Sequence, residues 1–359
     1  MKNYKILPMK KQYNILFALL FLPLIVFSNE IDPGKYSKQK TIKKAYVVNS
    51  DAGIDIKNAY GTVSVSTWDE DKIELDILIK VSGDSESWVD KRLEDIDVDI
   101  QALKNMVSAQ TNIKSGSGNG KKSSIEINYT IKIPKKGSVK INNKYGSIVT
   151  ADLFANANLN CDYGKITAAK LNGTTNIIHM DYCSKSTIEF VRNATIDADY
   201  SGLTINEFGK INLSADYTDL SLINGNELKY KCSYGKLRLG KIGTLEGDGD
   251  YLSVFVDEIT DQLKITTSYG KVAIGEIDAK ANLVTINAEY TSVDMAYNPA
   301  AAFDFDISVK YANFHSENLE INAKQESGTS KSYQGFYRKS GTAKIVVRSE
   351  YGNVSLSKK

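Results

Sequence analysis

The residues that could carry chemistry are few, and four of the aspartates form a regular series. Asp162, Asp181, Asp199 and Asp216 each precede a tyrosine, at intervals of 17 to 19 residues. If each interval is one turn of a repeating chain, the carboxylates stack about 4.8 Å apart along one outward edge. Such a column could bind calcium, which relieves carboxylate repulsion, or could line the groove of a polysaccharide lyase or hydrolase.

The same position of the repeat is not acidic throughout. It carries serine or lysine at Ser233, Ser268 and Lys310, and further lysines lie nearby. This mixture favours a solvated polar edge over a metal or catalytic site. The sequence also lacks a pair of carboxylates placed as an acid and a nucleophile. We therefore predict a chain that is not an enzyme, with no catalytic residue, no metal ligand and no cofactor.

The histidines and cysteines do not form a recognisable catalytic or metal-binding motif. His179 and His315 fall at outward positions, far apart and without a serine or cysteine partner. No zinc-like Cys/His spacing or phosphate-binding glycine loop occurs. Cys161 and Cys232 are four repeats apart and Cys183 falls at a corner, whereas a disulfide needs Cα atoms closer than about 7 Å. We predict no disulfide and three cysteines buried as small hydrophobic residues.

One aromatic and cationic segment is a candidate binding loop. Residues 324–342 interrupt the repeat with polar residues and glycine, and we predict a flexible loop there. Loops that project from rigid scaffolds often carry function. The candidate binding residues are Tyr333, Phe336, Tyr337, Arg338 and Lys339. The alternative is a loop whose aromatic residues fold back on the body of the protein.

The rest of the chain is organised by a repeated tyrosine. From Tyr145 to Tyr311 the matching tyrosines follow one another at steps of 17 to 21 residues, and Tyr351 comes 40 residues later. The predicted ladder consists of Tyr145, Tyr163, Tyr182, Tyr200, Tyr217, Tyr234, Tyr251, Tyr269, Tyr290, Tyr311 and Tyr351. A repeat near 18 residues is in the range typical of solenoid proteins.

The pattern within each repeat indicates strands. Apolar residues alternate with polar ones around each tyrosine, a period of two, and Val, Ile, Thr and Tyr are frequent. We predict an all-β fold, a single-stranded parallel β-solenoid (β-helix) with rungs of about 18 residues. The apolar or small residues before each tyrosine are two, four and six residues away, so in an extended strand they lie on the same face as the tyrosine. This predicts that the tyrosine ring points inward at one edge of the core. The alternative is an exposed aromatic strip that binds sugar rings.

The N-terminal part differs from the repeats. Residues 1–28 carry four lysines and an apolar run, typical of a signal peptide, so we expect export to the periplasm or the cell surface. Residues 29–138 contain one early rung and long alternating strands over 73–81, 98–113 and 125–133. They also include a short helix over 85–93, with Ser87 at its start. We predict that this region caps the open edge of the repeats, which occupy 139–359.

The charge balance excludes one class of partner. Without residues 1–28 the net charge falls from +2 to −2, which gives no electrostatic reason to expect nucleic-acid binding. No segment after the leader is apolar enough to be a transmembrane span. The oligomeric state is left open by the sequence.

Several motifs resemble a known family. The leader, the recurrent Tyr-Gly-x-apolar-x-apolar unit, residues 60–69 with Trp68, and the entry from Tyr129 to Tyr145 are similar to exported putative-adhesin β-strand-repeat proteins. These include the head-domain adhesin-like proteins of Bacteroidetes-type bacteria. The resemblance implies a non-catalytic cell-envelope scaffold that binds an envelope or surface partner, protein or glycan. The alternatives are a polysaccharide-acting β-helix enzyme that uses Asp181 or Asp199, and a periplasmic envelope-stress signalling component.

Overall fold

The computed structural model describes residues 34–115, 122–341 and 343–359. The predicted signal peptide therefore lies outside the described residues. The described chain is almost entirely strand with one helix, which confirms the all-β fold. Within the described ranges, no helix has both the length and the apolar character needed to cross a bilayer.

The N-terminal region surrounds the first repeat with long strands. β2 pairs in parallel with β6 and β8, and β3 pairs in parallel with β7 and β9, so β6 and β7 cover the open edges of the first repeat. β4 lies antiparallel between β1 and β7. The elements are β1 (Tyr36–Val47), β2 (Gly53–Ala59), β3 (Val63–Trp68), β4 (Lys72–Gly83), α1 (Glu86–Glu94), β5 (Ile96–Ala102), β6 (Met106–Ile113), β7 (Ser124–Pro134), β8 (Val139–Lys144) and β9 (Ser147–Thr150).

Two local predictions in this region were wrong in detail. The helix begins after Ser85, whose side chain accepts a hydrogen bond from the Trp88 backbone N–H at 3.4 Å, so Ser87 is not the cap. Residues 98–113 are not one strand, because β5 and β6 form an antiparallel hairpin. The reversal is closed by a 2.8 Å bond from the Leu103 N–H to the Met106 carbonyl. The alternation of apolar and polar residues does not reveal a tight turn when the same alternation continues in phase on both sides of it.

The central repeats pair in parallel at the spacing of the tyrosines. Asp162 lies opposite Asp181, which lies opposite Asp199, and Asp216 follows. The strands are β10 (Ala157–Asp162), β11 (Lys165–Leu171), β12 (Asn176–Asp181), β13 (Ser186–Asp199), β14 (Gly202–Asp216), β15 (Asp219–Ser268), β16 (Lys271–Ile277), β17 (Leu283–Glu289) and β18 (Ser292–Tyr297). The strand before each tyrosine and the strand after it belong to separate rows of pairing, β8–β10–β12 and β9–β11–β13.

A single hydrophobic core lies between these rows. Along β10 the buried residues are Ala157, Leu159 and Cys161, each separated by a half-buried polar residue. The same alternation recurs along the following strands, and the buried side chains form one continuous cluster. The parallel register places equivalent apolar residues of neighbouring repeats side by side, so each repeat covers the next.

The C-terminal segment does not follow the chain order of the repeats. The last elements are β19 (Phe303–Lys310), β20 (Phe314–Ser316), β21 (Glu320–Ser327), β22 (Ser330–Tyr337), β23 (Lys344–Glu350) and β24 (Val354–Lys358). β23 lies in parallel between β17 and β19, and β24 lies between β18 and β20. The final repeat of the sequence is thus inserted between two earlier ones. The sheet is mixed, because β22 pairs antiparallel with β19 and β21 pairs antiparallel with β22.

The predicted flexible loop at 324–342 is therefore wrong for most of its length. Residues 320–337 form the β21–β22 hairpin, whose tip contains Gly328 at φ +58°. β21 is exposed along its whole length. The polar, glycine-containing sequence resembled a loop because β21 buries no face, which removes the alternation that usually marks a strand.

One buried hydroxyl gives a test of the packing between repeats. Tyr230 is 2% exposed, and its hydroxyl has no hydrogen-bond partner among the described residues. Its ring fills the space beside Gly247 of the next repeat, where an added Cβ would lie 1.9 Å from a ring carbon. Burial raises the pKa of Tyr230, so the hydroxyl stays neutral.

We expect Tyr230→Phe to raise the free energy of unfolding by about 1 kcal/mol, because it removes an unsatisfied buried group. Tyr129 is the matched control, since its buried hydroxyl bonds to Thr111 at 2.7 Å. Tyr129→Phe should lower stability by about 1 kcal/mol. Chemical denaturation of the two variants measures both effects. A loss of stability in Tyr230→Phe would show that its hydroxyl has a partner after all.

Candidate functional site

An exposed column of tyrosines runs along the repeats. Successive rings are stacked with centroids 4.6–5.2 Å apart and interplanar angles of at most 17°. The column begins at Tyr60, which is one repeat earlier than the sequence ladder. At the other end Tyr351 lies between Tyr290 and Tyr311, at 4.6 and 4.7 Å, because its repeat is inserted there.

The prediction that these rings point into the core was wrong. All twelve tyrosines are 42–53% exposed, and each has a positive φ, from 48° to 63°. The tyrosine is itself the corner of each repeat, so the parity of the preceding strand does not continue through it. A left-handed conformation costs a non-glycine residue about 1–2 kcal/mol, and stacking contributes about 0.5–1.5 kcal/mol per aromatic pair.

The glycines after the tyrosines have a steric role. An added Cβ at Gly146 would lie 1.9 Å from the carbonyl oxygen of Gly61, and one at Gly164 would lie 1.8 Å from that of Gly146. The backbones of adjacent repeats therefore approach too closely for a side chain at these corners. The left-handed residue at each of these corners is the tyrosine and not the glycine that follows it.

The stacking limits what the tyrosine column can bind. Each internal ring has both faces covered by its neighbours, so its exposed part is the ring edge and the hydroxyl. Only the two terminal rings, Tyr60 and Tyr311, have a single ring neighbour among the described residues. A sugar therefore cannot stack on the internal rings as on an open aromatic platform. The column instead offers a regular series of hydroxyls that can donate and accept hydrogen bonds.

The acidic column lies beside the tyrosines and includes a histidine that the sequence analysis had left unpartnered. His179 Nε2 lies 3.4 Å from an Asp181 carboxylate oxygen, and its Nδ1 lies 3.3 Å from one of Asp197. Ligand atoms of Asp162, His179 and Asp181 lie within 4.8 Å of one another, a spacing that could hold a metal ion. Desolvation, and then the neighbouring carboxylates, raise the pKa of Asp199. Lys144 pairs with Asp162 at 3.1 Å and offsets charge at one end.

A polar groove of about 770 Å³ lies at the C-terminal end of the repeats. Its floor is the outward face of β15, β17, β23 and β19, where two rows of side chains cross the strands. One row is Thr266, Asn287, Arg348 and Ser308, and the other is Ser268, Glu289, Glu350 and Lys310. The β21–β22 hairpin supplies Gln325, Ser327, Ser330, Lys331 and Ser332. The groove thus depends on the inserted strand β23.

Charges of both signs are interleaved in this groove. Lys310 pairs with Glu350 at 2.7 Å, and Arg348 pairs with Asp306 at 3.0 Å. Asp250 accepts a hydrogen bond from Ser268. The remaining lining is largely hydroxyl and amide groups. Lys310 and Arg348 are ion-paired, Lys331 donates to the Asn313 amide oxygen at 2.8 Å, and Asp248, Asp250 and Glu289 add negative charge. The groove therefore lacks the concentrated positive charge that an anionic polymer would need.

The five candidate binding residues do not line the groove, although other residues of the same predicted loop, between 325 and 332, do. Tyr333 is buried and packs against Phe314, with ring centroids 5.2 Å apart. Tyr337 packs against Tyr297 at 4.7 Å, and Phe336 is half-buried. Arg338 and Lys339 remain exposed, and Arg338 donates to the Pro299 carbonyl at 3.2 Å. The groove was missed because its residues come from six strands and include an inserted one.

Comparison with known proteins finds similar solved structures, all at low sequence identity. No protein family matches the sequence, and no curated protein is similar to it. Similar solved structures include a putative cell adhesion protein from Clostridium sporogenes, at 12% identity and a TM-score of 0.16, covering 89% of this chain and 100% of that one. A putative adhesin from Bacteroides fragilis has 11% identity and a TM-score of 0.31, covering 91% and 99%. One from Parabacteroides distasonis has 9% identity and a TM-score of 0.30, covering 90% and 97%. With sequence identities and TM-scores this low, function has to be argued from the chain's own residues.

Proposed function

We propose that this chain is a non-catalytic, exported cell-envelope protein, an adhesin-like parallel β-solenoid that binds a glycan or protein of the envelope or of a surface. The supporting observation is the polar groove beneath the β21–β22 hairpin, which lies next to the exposed tyrosine column. A rigid stack of repeats suits this role because its outward faces hold side chains at fixed spacing.

The chemistry of the groove favours a neutral, hydroxyl-rich ligand. Six serine and threonine hydroxyls, from residues 266, 268, 308, 327, 330 and 332, are distributed over floor and wall. Carboxylates such as Glu289 accept hydrogen bonds from ligand hydroxyls, and the hydroxyls and amides of the groove both donate and accept. A neutral glycan can hydrogen-bond to these groups. Because it has no net charge, it is not repelled by either the carboxylates or the cations of the groove. The tyrosine hydroxyls would extend the same pattern beyond the groove.

Binding to a panel of immobilised neutral polysaccharides, with a reducing-sugar assay on the same samples, tests this proposal. Thr266→Trp places a large side chain on the exposed floor of the groove and should weaken binding at least tenfold. Ser214→Trp is the matched control, because Ser214 is exposed at the equivalent position of an earlier repeat, outside the groove. It should bind as the unmodified chain does.

Two results would contradict the proposal. Equal binding by the Thr266→Trp and Ser214→Trp variants would remove the groove as the site. Release of reducing sugar would show catalysis and exclude the non-catalytic assignment. Binding to an envelope protein and to none of the polysaccharides would keep the scaffold but replace the glycan with a protein partner.

A further inference from the structure

Two of the three cysteines meet inside the core. Cys161 is on β10, and Cys183 follows the tyrosine at the end of β12 in the next repeat. The Cys183 sulfur lies 3.0 Å from the Cys161 carbonyl oxygen, and both residues are completely buried. The sequence-based expectation that Cys183 is offset from both other cysteines was therefore wrong. It treated the position after the tyrosine as an outer corner, whereas that side chain points inward.

The same two positions are neighbours in the following repeats. In the next two repeats, Ser201 and Thr218 follow the tyrosine, and each places its hydroxyl against the backbone carbonyl two residues before the preceding tyrosine. Thr218 donates to the Ala198 carbonyl at 2.8 Å, and Ser201 approaches the Met180 carbonyl at 3.4 Å. In those repeats the facing pair is Thr218 with Ala198, or Ser201 with Met180. Only between Cys161 and Cys183 do both positions carry a thiol.

The two thiols interact directly and unequally. Their mutual hydrogen bond is the largest cause of a lowered pKa at Cys183 and of a raised pKa at Cys161. The backbone N–H of Gly164 also lowers the pKa of Cys183. Cys232 lies in a different repeat and is the third free cysteine.

We propose that Cys161 and Cys183 are a disulfide-forming pair that links two adjacent repeats after export. One of the two cysteines, as its thiolate, attacks a small-molecule or protein disulfide, which forms a mixed disulfide and releases one thiolate. The sulfur of the other cysteine then displaces the second thiolate as it loses its proton. The two cysteines lose two electrons and two protons in total, and the oxidant is reduced to two thiols. Since both sulfurs are buried in the folded chain, the exchange takes place before these repeats close.

This inference is independent of the proposed binding function and has its own test. The full chain is refolded from denaturant in a buffer of oxidised and reduced glutathione. It is then denatured in the presence of an alkylating reagent, and its intact mass is measured by mass spectrometry. We expect one alkylated cysteine before reduction, at Cys232, and three after it. Peptide mapping should place the link between residues 161 and 183.

The Cys183→Ser variant is the matched control, because Ser201 shows that a hydroxyl fits the equivalent position. It should carry two alkylated cysteines with or without reduction, and its melting temperature should not respond to a reductant. The melting temperature of the unmodified chain should fall by several degrees on reduction. Three alkylated cysteines before reduction, or a link that involves Cys232, would overturn the proposal.

Discussion

Val347→Asp should lower the free energy of unfolding by about 4 kcal/mol or more and abolish the C-terminal groove. Val347 is completely buried on β23, between Ile286 of β17 and Ile307 of β19. An ionised carboxylate there would have apolar neighbours on both sides and no cation. Burial of an unpaired charge is among the few mechanisms that give effects of this size. Denaturant titration followed by circular dichroism would measure the loss.

Ser357→Asp provides the control within the same inserted repeat. Ser357 is half-buried and alternates with the buried residues of β24, so its side chain points outward. This variant should stay within about 0.5 kcal/mol of the unmodified chain, as surface substitutions usually do. If Val347→Asp were equally well tolerated, β23 could not be an internal strand. The groove residues Arg348 and Glu350 would then lack the position described for them.

Asn176→Leu is expected to cost roughly 3–6 kcal/mol, although leucine has a similar size and greater hydrophobicity. Asn176 is completely buried. Its side-chain oxygen accepts from the Ala157 N–H at 3.1 Å, and its amide donates to the carbonyls of Gly173 and Asn193 at 3.0 and 2.8 Å. One side chain thus satisfies backbone groups of three adjacent repeats. Leucine would remove the hydrogen bond that Asn176 makes to each of these groups, two of which are in fully buried bonds and one in a part-buried bond.

Asn206→Leu is the comparison for this effect, because Asn206 is exposed on β14. It should change stability by less than about 0.5 kcal/mol. The midpoint of chemical denaturation is the suitable measure for both variants, since long repeat arrays need not unfold in one step. A near-neutral Asn176→Leu would mean that water or rearranged backbone replaces the amide.

The regular part of the fold could be predicted from the sequence. The tyrosine spacing indicates which residues lie side by side from Tyr145 to Tyr290, and the strands pair in parallel at those offsets. The short helix lies within one residue of its predicted place. These features depend on local periodicity, which the sequence reports well, whereas the capping residue of the helix was predicted wrongly.

The direction of the tyrosine rings could not be predicted from parity. A strand alternates strictly only while its backbone stays extended, and Tyr163 or Tyr234 leaves that conformation at φ 54° or 53°. A left-handed tyrosine has no distinctive local signal, because glycine and asparagine usually take such positions. Once the corner is known, the inward place of Cys183 follows, and with it the cysteine pair.

The order of the last repeats could not be predicted either. Tyr311 and Tyr351 belong to equivalent motifs, so nothing in the sequence indicates that Tyr351 lies between Tyr290 and Tyr311. β17 and β19 have the same register to β23, since Val284 and Phe305 both lie opposite Ile345. Without β23, the two strands could therefore pair directly in that register. The groove follows from this insertion together with the hairpin, both non-local features.

Disulfide trapping between engineered cysteines tests this insertion most directly. Asn287 and Arg348 are adjacent partners in the structure, and Arg348 separates Asn287 from Ser308. Adjacent strands are about 4.8 Å apart, within the reach of a disulfide, whereas strands two places apart are beyond it. Under mild oxidation, the Asn287→Cys, Arg348→Cys chain should cross-link, and the Asn287→Cys, Ser308→Cys chain should not. The opposite result would show that the repeats follow chain order, and the groove described above would not exist.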